Sequence, residues 1–174
     1  MQEMVIYGVS FDMVGKQPIV LLKTADGNKF LPIWIGHPEA TAILMKLQGM
    51  PTPRPMTHDL LTDVFRRLEA TVVRIAVTEL RDNTFFALIT VVVDGTEIEI
   101  DSRPSDAIAL AVRAEVPIFA ADAVIEESAI EFEHDDEAGD EAGDEALPGP
   151  PLPSIEEFQK FLEEVKPEDF STES

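Results

Sequence analysis

The sequence predicts an α+β fold, with a mixed or antiparallel sheet built from two strand-strand-strand-helix units. The segments follow the same order in both halves: strands near 5–11, 19–22 and 30–35 and a helix at 39–47, then strands at 72–80, 85–93 and 97–100 and a helix at 104–114. Asp26-Gly27 and Asp94-Gly95 provide a turn at the same place in each half. This parallel indicates an internal duplication, although hairpins with Asp-Gly turns are common and could produce the pattern independently.

The first half begins with alternating apolar positions, which are typical of a half-buried strand (Val5, Tyr7, Val9 and Phe11). The run at 19–22 and the strand at 30–35 flank the first Asp-Gly turn. In the helix at 39–47, one apolar stripe is formed by Ala40, Ile43, Leu44 and Leu47. The loop that follows contains three prolines, at positions 51, 53 and 55, which exclude a long regular element there.

A helix at 57–69 connects the halves, with Thr57 as its predicted N-cap and apolar residues at helical spacing. In the second half, Asp82-Asn83 is the predicted turn between the two long strands. The helix at 104–114 begins with a proline, and its residues 107–112 are all apolar, which indicates burial on most sides. A short strand at 117–119 closes the domain.

The chain therefore divides into a folded domain at 1–128, an acidic Gly/Pro-rich disordered linker at 129–153, and an amphipathic helix with its tail at 154–174. Ser154 and Glu157 form a capping-box pattern at the start of that terminal helix. Because such a short helix is unstable alone in water, we expect it to dock on its own domain or on a protein partner.

The net charge of −21 is concentrated near the end of the chain. Residues 126–174 contain 18 acidic and 2 basic side chains, whereas residues 1–125 contain 16 and 11. This balance repels phosphate backbones at long range, so it disfavours a protein that binds nucleic acid through a broad basic surface. A local basic site or a metal-bridged site remains compatible with it.

The absence of cysteine excludes disulfides and thiolate metal sites, and fits a reducing compartment. The first residues lack the basic and apolar stretches of a signal peptide, and no apolar run is long enough to span a membrane. We therefore expect a cytoplasmic protein that does not bind membranes.

Two polar clusters lie where loops enter helices, at 54–59 and 101–106. Each combines an arginine, a proline, a hydroxyl group and acids. Helix N-termini and arginine forks suit phosphate, carboxylates suit a divalent cation, and histidine suits proton transfer near neutral pH. The alternative is structural: Thr57 and Ser102 would be ordinary caps, and Arg54 and Arg103 would pair with the acids of the first helical turns.

Other candidates carry weaker signals. His37 precedes Pro38 and Glu39 at the equivalent position of the first half, and is better explained as a loop residue than as a ligand. The single tryptophan, Trp34, is better explained as a core residue than as a stacking platform. With three histidines in all, a histidine-rich zinc site is not expected.

At these clusters the sequence resembles the bacterial bifunctional nuclease family. The resemblance rests on three segments: Leu-Pro-Ile-Trp-Ile-Gly at 31–36, Arg-Pro-Met-Thr-His-Asp-Leu at 54–60, and Asp-Ser-Arg-Pro-Ser-Asp-Ala-Ile-Ala-Leu-Ala at 101–111. It covers roughly residues 3–128 and implies an α+β domain, self-association and activity on both DNA and RNA. The linker and terminal helix are similar to the form found in high-GC Gram-positive bacteria.

The resemblance and the clusters together predict a nuclease that is assisted by Mg²⁺ or Mn²⁺. In this hypothesis His58 transfers protons, and Arg54 and Arg103 stabilise negative charge in the transition state. The predicted catalytic residues are His58, Asp59, Arg54, Arg103 and Asp106. The predicted metal ligands are Asp59, Asp101, Asp106 and Glu39. The alternative is a non-enzymatic regulatory module that binds an anion or a partner; a homodimer is expected in either case.

Overall fold

A computed structural model describes residues 1–11 and 17–131 of the 174-residue chain. The elements are β1 (Gln2–Phe11), β2 (Pro18–Thr24), β3 (Lys29–Trp34), α1 (His37–Leu47), α2 (Thr57–Arg67), β4 (Thr71–Arg81), β5 (Thr84–Val93), β6 (Thr96–Ser102), α3 (Pro104–Ala114), β7 (Ile118–Ala120), α4 (Asp122–Ser128) and β8 (Ile130–Glu131). This composition confirms the predicted α+β class.

One mixed sheet contains all eight described strands, in the order β6-β5-β4-β7-β1-β2-β3-β8. The short β7 lies between the halves, antiparallel to β1 and parallel to β4. β1 and β4 therefore run in opposite directions, and each unit of three strands extends outward from β7 through antiparallel hairpins. The two predicted units are thus present and face each other across the centre of the sheet.

Tight turns form where glycine, asparagine and aspartate were predicted to make them. Asp82 and Asn83 adopt φ values of 51° and 56° between β4 and β5. Asp94 and Gly95 adopt 49° and 75° between β5 and β6. Positive φ at both central residues suits two-residue hairpins, because that backbone twist matches the twist of the flanking strands.

Helix α3 occupies the centre of the helical layer, where it contacts α1, α2, β4 and β5. Seven of its eleven residues are buried, which confirms the burial predicted from its apolar run. Side chains from the sheet complete the core, including Leu22, Leu31, Ile75 and Ile89. Burial of this kind positions the helix starts relative to one another, and these starts carry the polar clusters.

Two predicted caps are wrong in detail. Met56 occupies the N-cap position of α2, and Thr57 is already the first helical residue. The Asp59 carboxylate accepts a hydrogen bond from the Met56 backbone N–H at 2.8 Å, so a side chain inside the first turn satisfies that group instead. Arg103, and not Ser102, is the N-cap residue of α3.

Two short elements were not predicted. Helix α4 has only seven residues, and β8 only two, so neither carries enough periodic pattern to be recognised in the sequence. β8 pairs with β3 and extends the folded domain to residue 131, into what was predicted as the start of the linker. The rest of that linker, and the predicted terminal helix at 154–174, lie outside the described residues.

Within residues 1–11 and 17–131, no helix has the length and apolar character needed to cross a bilayer.

Candidate functional site

The third residue of each of the first three helices is acidic: Glu39 in α1, Asp59 in α2 and Asp106 in α3. A carboxylate in the first turn is favoured because the backbone N–H groups there are unpaired and the helix dipole is positive. The packing of α1 and α2 on α3 decides which cations these carboxylates meet.

Arg103 links two of these three carboxylates. Its Nε donates to Asp106 Oδ2 at 2.7 Å, and its Nη2 donates to Glu39 Oε1 at 2.7 Å. The pKa of Arg103 is raised, first by the hydrogen bond to Asp106 and then by the one to Glu39, so the guanidinium stays charged. The Arg103 side chain is 66% exposed, whereas that of Glu39 is 13% exposed. The result is an ion-pair chain with its cation at the surface.

His58, which lies on α2, extends this ion-pair chain. Its Nε2 lies 3.0 Å from Asp106 Oδ1, and the residue is 7% exposed. Burial raises the pKa of Asp106, but hydrogen bonds from Arg103 and His58 outweigh it and leave the pKa below the ordinary value of 3.8. Asp106 is therefore a carboxylate that can only accept, and His58 Nε2 is the nitrogen that donates.

Asp59 belongs to a different contact. Its Oδ1 accepts from Nε of Arg113 at 2.6 Å, while Nη1 and Nη2 of the same guanidinium donate to the carbonyls of Ala109 at 2.8 Å and Ala42 at 3.1 Å. The Arg113 side chain is 5% exposed. Burial raises the pKa of Asp59, but hydrogen bonds from the Met56 N–H and Arg113 lower it further than burial raises it. This pair ties α1, α2 and α3 together.

Arg113 was not among the predicted site residues. The available signal was a single basic residue in the last turn of an otherwise apolar helix. Such a residue usually interacts with the carbonyls of its own helix end. Nothing in the local sequence shows that it also reaches Asp59, which is 54 positions away.

Two predicted site residues lie apart from the chain of ion pairs. Asp101 is exposed near the end of β6, where it pairs in register with Leu88. Arg54 is exposed in the loop before α2, and it forms no ion pair within the described part of the chain. The arginine–acid pairing expected in the structural alternative is present for Arg103 with Asp106, whereas Asp59 pairs with Arg113 and not with Arg54.

The described residues contain no group of three or more His, Asp or Glu side chains placed to hold a metal ion. Three of the four predicted ligands, Glu39, Asp59 and Asp106, are each engaged by a guanidinium group. A divalent cation at these carboxylates would have to displace or share an arginine.

A cleft of about 420 Å³ opens beside Arg103. One wall comes from the end of β3 and the two residues after it, including Trp34 and Gly36, and another from the β4–β5 hairpin, including Phe85. The start of α3 closes one end with Ser105. Trp34 is therefore partly exposed against this cleft, and not the wholly buried core residue predicted from the sequence.

Comparison with known proteins gives the same family that the motifs indicate. The model of the bifunctional nuclease domain matches residues 20–133. An uncharacterized protein of Mycobacterium tuberculosis is 35% identical over 172 residues, which cover 98% of each chain. A protein named bifunctional nuclease 1 from Oryza sativa subsp. indica is 29% identical over 103 residues, covering 57% of this chain and 31% of the rice protein.

The family match begins within β2 and covers all later described elements, including the connecting helix and the ion-pair chain described above. The protein belongs to the bifunctional nuclease domain family.

Proposed function

We propose that this protein hydrolyses phosphodiester bonds of DNA and RNA at the group formed by Glu39, Arg103, Asp106 and His58. The observation that carries the proposal is the 3.0 Å contact between His58 Nε2 and Asp106 Oδ1, held beside an exposed arginine at the mouth of a cleft. Family membership and the name of the rice relative support a nuclease.

Arg103 is the phosphate-binding residue in this proposal. Nε and Nη2 are held by two carboxylates, so the planar group is oriented before substrate arrives, and Nη1 makes no hydrogen bond within residues 1–11 and 17–131. A guanidinium positioned in advance stabilises charge that develops on phosphate oxygens, because little reorganisation is needed as the reaction proceeds.

His58 is the proton-transfer residue. With Nε2 donating to Asp106, the neutral ring carries its lone pair on Nδ1, and this nitrogen accepts a proton from the attacking water. The new P–O bond forms as the bond to the leaving nucleotide oxygen breaks, and that oxygen takes up a proton from solvent. His58 then releases to solvent the proton that it accepted from the attacking water. Asp106 orients the imidazole ring through its contact with Nε2.

The prediction that Mg²⁺ or Mn²⁺ assists, with Asp59, Asp101, Asp106 and Glu39 as ligands, stays a proposal. Because arginines occupy three of these carboxylates, metal binding at them requires the ion pairs to rearrange. Titration with Mn²⁺ by calorimetry tests it directly. Binding that is lost in Asp101→Asn and Glu39→Gln would support these two residues as ligands, and unchanged binding in both would exclude these two.

A second candidate function is a non-enzymatic module that binds an anion or a partner. One observation favours it: the first-turn carboxylates of α1, α2 and α3 are each paired with an arginine, as in a purely structural network. In that case the exposed face of Arg103 would bind an anion without any reaction.

We also propose that the protein acts in the cytoplasm, that it forms a homodimer, and that its terminal segment docks on its own domain or on a partner. The mass of one chain is 19.2 kDa. If the dimer forms, native mass spectrometry of the full chain would show a single species of twice that mass.

The activity is tested with fluorescent single-stranded and double-stranded DNA and RNA, in Mg²⁺, Mn²⁺ or EDTA. Wild type is compared with Asp106→Asn and with a control purified in the same way, Asp63→Asn, which removes an exposed carboxylate elsewhere on α2. Cleavage that is lost only in Asp106→Asn supports the assignment. Equal cleavage by all three proteins contradicts the site, and no cleavage by any of them favours the binding module.

A further inference from the structure

The cleft beside Arg103 has walls that suit a flat apolar ligand. Trp34 and Phe85 stand on different strands, β3 and β5, and both are partly exposed. Pro104 and Leu80 add further apolar surface. Aromatic walls of this kind stack on nucleobases, because every base presents a π-face whatever its sequence.

The start of α3 contributes polar groups to the lining of the cleft. Ser105 is 6% exposed and lines the cleft, and its hydroxyl makes no hydrogen bond with any other residue in the described part of the chain. The Ser105 hydroxyl is accessible from the cleft, so it can donate a hydrogen bond to a ligand there. Ser105 also lies in the first turn of α3, where backbone N–H groups are unpaired.

Size limits what can enter. About 420 Å³ falls in the range of small-molecule sites, which runs from about 300 to 1,000 Å³. One nucleotide fits such a volume, whereas a base inside a duplex reaches a pocket only if it is first unpaired and rotated out of the stack.

We propose that this cleft binds one unpaired nucleobase of a single-stranded nucleic acid, stacked between Trp34 and Phe85, with the adjoining phosphate at Ser105 and Arg103. The inference rests on the proposed function and extends it by naming the substrate class. It explains how a domain with an acidic balance in residues 1–125 can bind nucleic acid: one local phosphate contact replaces a broad basic surface.

Trp34 makes the proposal measurable, because it is the single tryptophan of the chain. Its fluorescence should be quenched saturably by a single-stranded DNA hexamer in EDTA, and at least tenfold more weakly by the same sequence as a duplex. With one phosphate contact, the logarithm of the binding constant should fall with the logarithm of salt concentration at a slope of about −0.7. Inorganic phosphate alone should not reproduce the quenching.

Two variants and one control test the cleft without changing the proposed catalytic residues. Thr84→Leu enlarges an exposed side chain at the cleft, and should weaken hexamer binding at least tenfold. Thr96→Leu makes the same change at an exposed position on β6, next to the end of β5 that is far from Thr84. This control variant should bind as wild type. Ser105→Ala deletes the hydroxyl and should weaken binding by about 2- to 10-fold, the usual range for one hydrogen bond.

The outcomes separate the two proposals. If hydrolysis is observed but Thr84→Leu leaves both hexamer binding and the preference for single strands unchanged, the cleft assignment is wrong and the nuclease proposal stands. If no substrate is hydrolysed but the hexamer quenches Trp34 and Thr84→Leu abolishes this, the cleft assignment stands and the nuclease proposal fails. Equal quenching by hexamer and duplex overturns the single-strand preference.

Discussion

His58 Nε2 and Asp106 Oδ1 are 3.0 Å apart although the residues lie 48 positions apart in the chain. The contact connects the first turn of α2 to the first turn of α3, and the second oxygen of the same carboxylate accepts from Arg103. One carboxylate thus contacts both an imidazole ring and a guanidinium group. Because His58 and Arg103 bind different oxygens of Asp106, a conservative substitution of one should leave the contact of the other in place.

Replacing His58 with glutamine tests proton transfer. Gln can still donate an amide hydrogen to Asp106, so the fold and the orientation of Arg103 should be retained, but it cannot accept a proton. We expect kcat to fall by about 10²- to 10⁴-fold, the usual contribution of general acid–base catalysis. The measurement is kcat on a fluorescent single-stranded oligonucleotide, with the melting temperature as a check on folding.

Thr57→Ala is the matched control, because Thr57 is the exposed neighbour in the same helical turn. It should leave kcat within about twofold, as surface changes away from special contacts usually do. If His58→Gln retains full activity in the same preparations, His58 has a structural role only.

The stability of the protein should depend on pH through Asp106. Its pKa in the folded state lies below 3.8, so as the pH falls the unfolded state takes up the proton first. The stabilisation is fully present above the unfolded-state value, and is lost as the pH falls through the lower folded-state value. Removing this carboxylate with Asp106→Asn should therefore destabilise most near pH 7, and progressively less below about pH 4.

Urea unfolding of wild type and Asp106→Asn at several pH values between 7 and 3 measures this difference. Asp94→Asn removes the same charge from an exposed turn, so subtracting its curve corrects for the change in total charge. A gap between wild type and Asp106→Asn that stays constant down to pH 3 would contradict the ionised, hydrogen-bonded state of Asp106.

Gly36 controls the position of the Glu39 carboxylate. A Cβ at position 36 would overlap Oε2 of Glu39, the flexible end of a side chain that can move away. Gly36→Ala should therefore leave the fold intact but push Glu39 away from Arg103. In a Glu39→Ala background the overlap does not exist, so we expect Gly36→Ala to be more favourable there by about 0.5 kcal/mol or more.

A double-mutant cycle by chemical unfolding gives this coupling free energy. The backbone of Gly36, with φ −76° and ψ 154°, is open to alanine, so a backbone penalty should be equal in both backgrounds and cancel. A coupling of zero would mean that the Glu39 side chain does not rest over Gly36.

Local pattern was sufficient to predict some parts of the site but not others. Helix periodicity placed Glu39, Asp59 and Asp106 in first turns, because each depends on residues within a few positions. The partner of each carboxylate depends on packing: Arg103 reaches Glu39 across 64 positions, and the partner of Asp59 comes from the far end of α3. No periodic signal encodes contacts over such separations.

Trp34 illustrates the same limit at the cleft. Its apolar surroundings in the sequence, Pro32-Ile33 and Ile35, indicate a buried strand, and those neighbours are buried. The cleft next to Trp34 is also lined by residues of the hairpin between β4 and β5, almost 50 positions away. The position of a distant hairpin follows from the sheet order, which the sequence did not predict.

Substitutions in the ion pair of Asp59 and Arg113 test whether Asp59 has a structural or a catalytic role. Arg113 is 5% exposed, so removing its partner leaves a buried charge uncompensated, which costs about 3–5 kcal/mol in comparable cases. We therefore expect Asp59→Ala to lower the free energy of unfolding by about 3 kcal/mol. Adding Arg113→Met, which removes the stranded charge and keeps apolar volume, should recover most of that loss.

Urea unfolding of the single and double variants measures both effects, and Asp63→Ala is the matched control on α2. Asp63 pairs with Arg66 at the surface, where such a pair contributes about 0–1 kcal/mol, so its removal should change stability little. If the double variant regains both stability and cleavage, Asp59 is a structural residue, because a metal ligand cannot be replaced by repairing its neighbour. If Asp59→Ala instead keeps wild-type stability and loses cleavage, the structural role is refuted and Asp59 acts on the substrate or its metal.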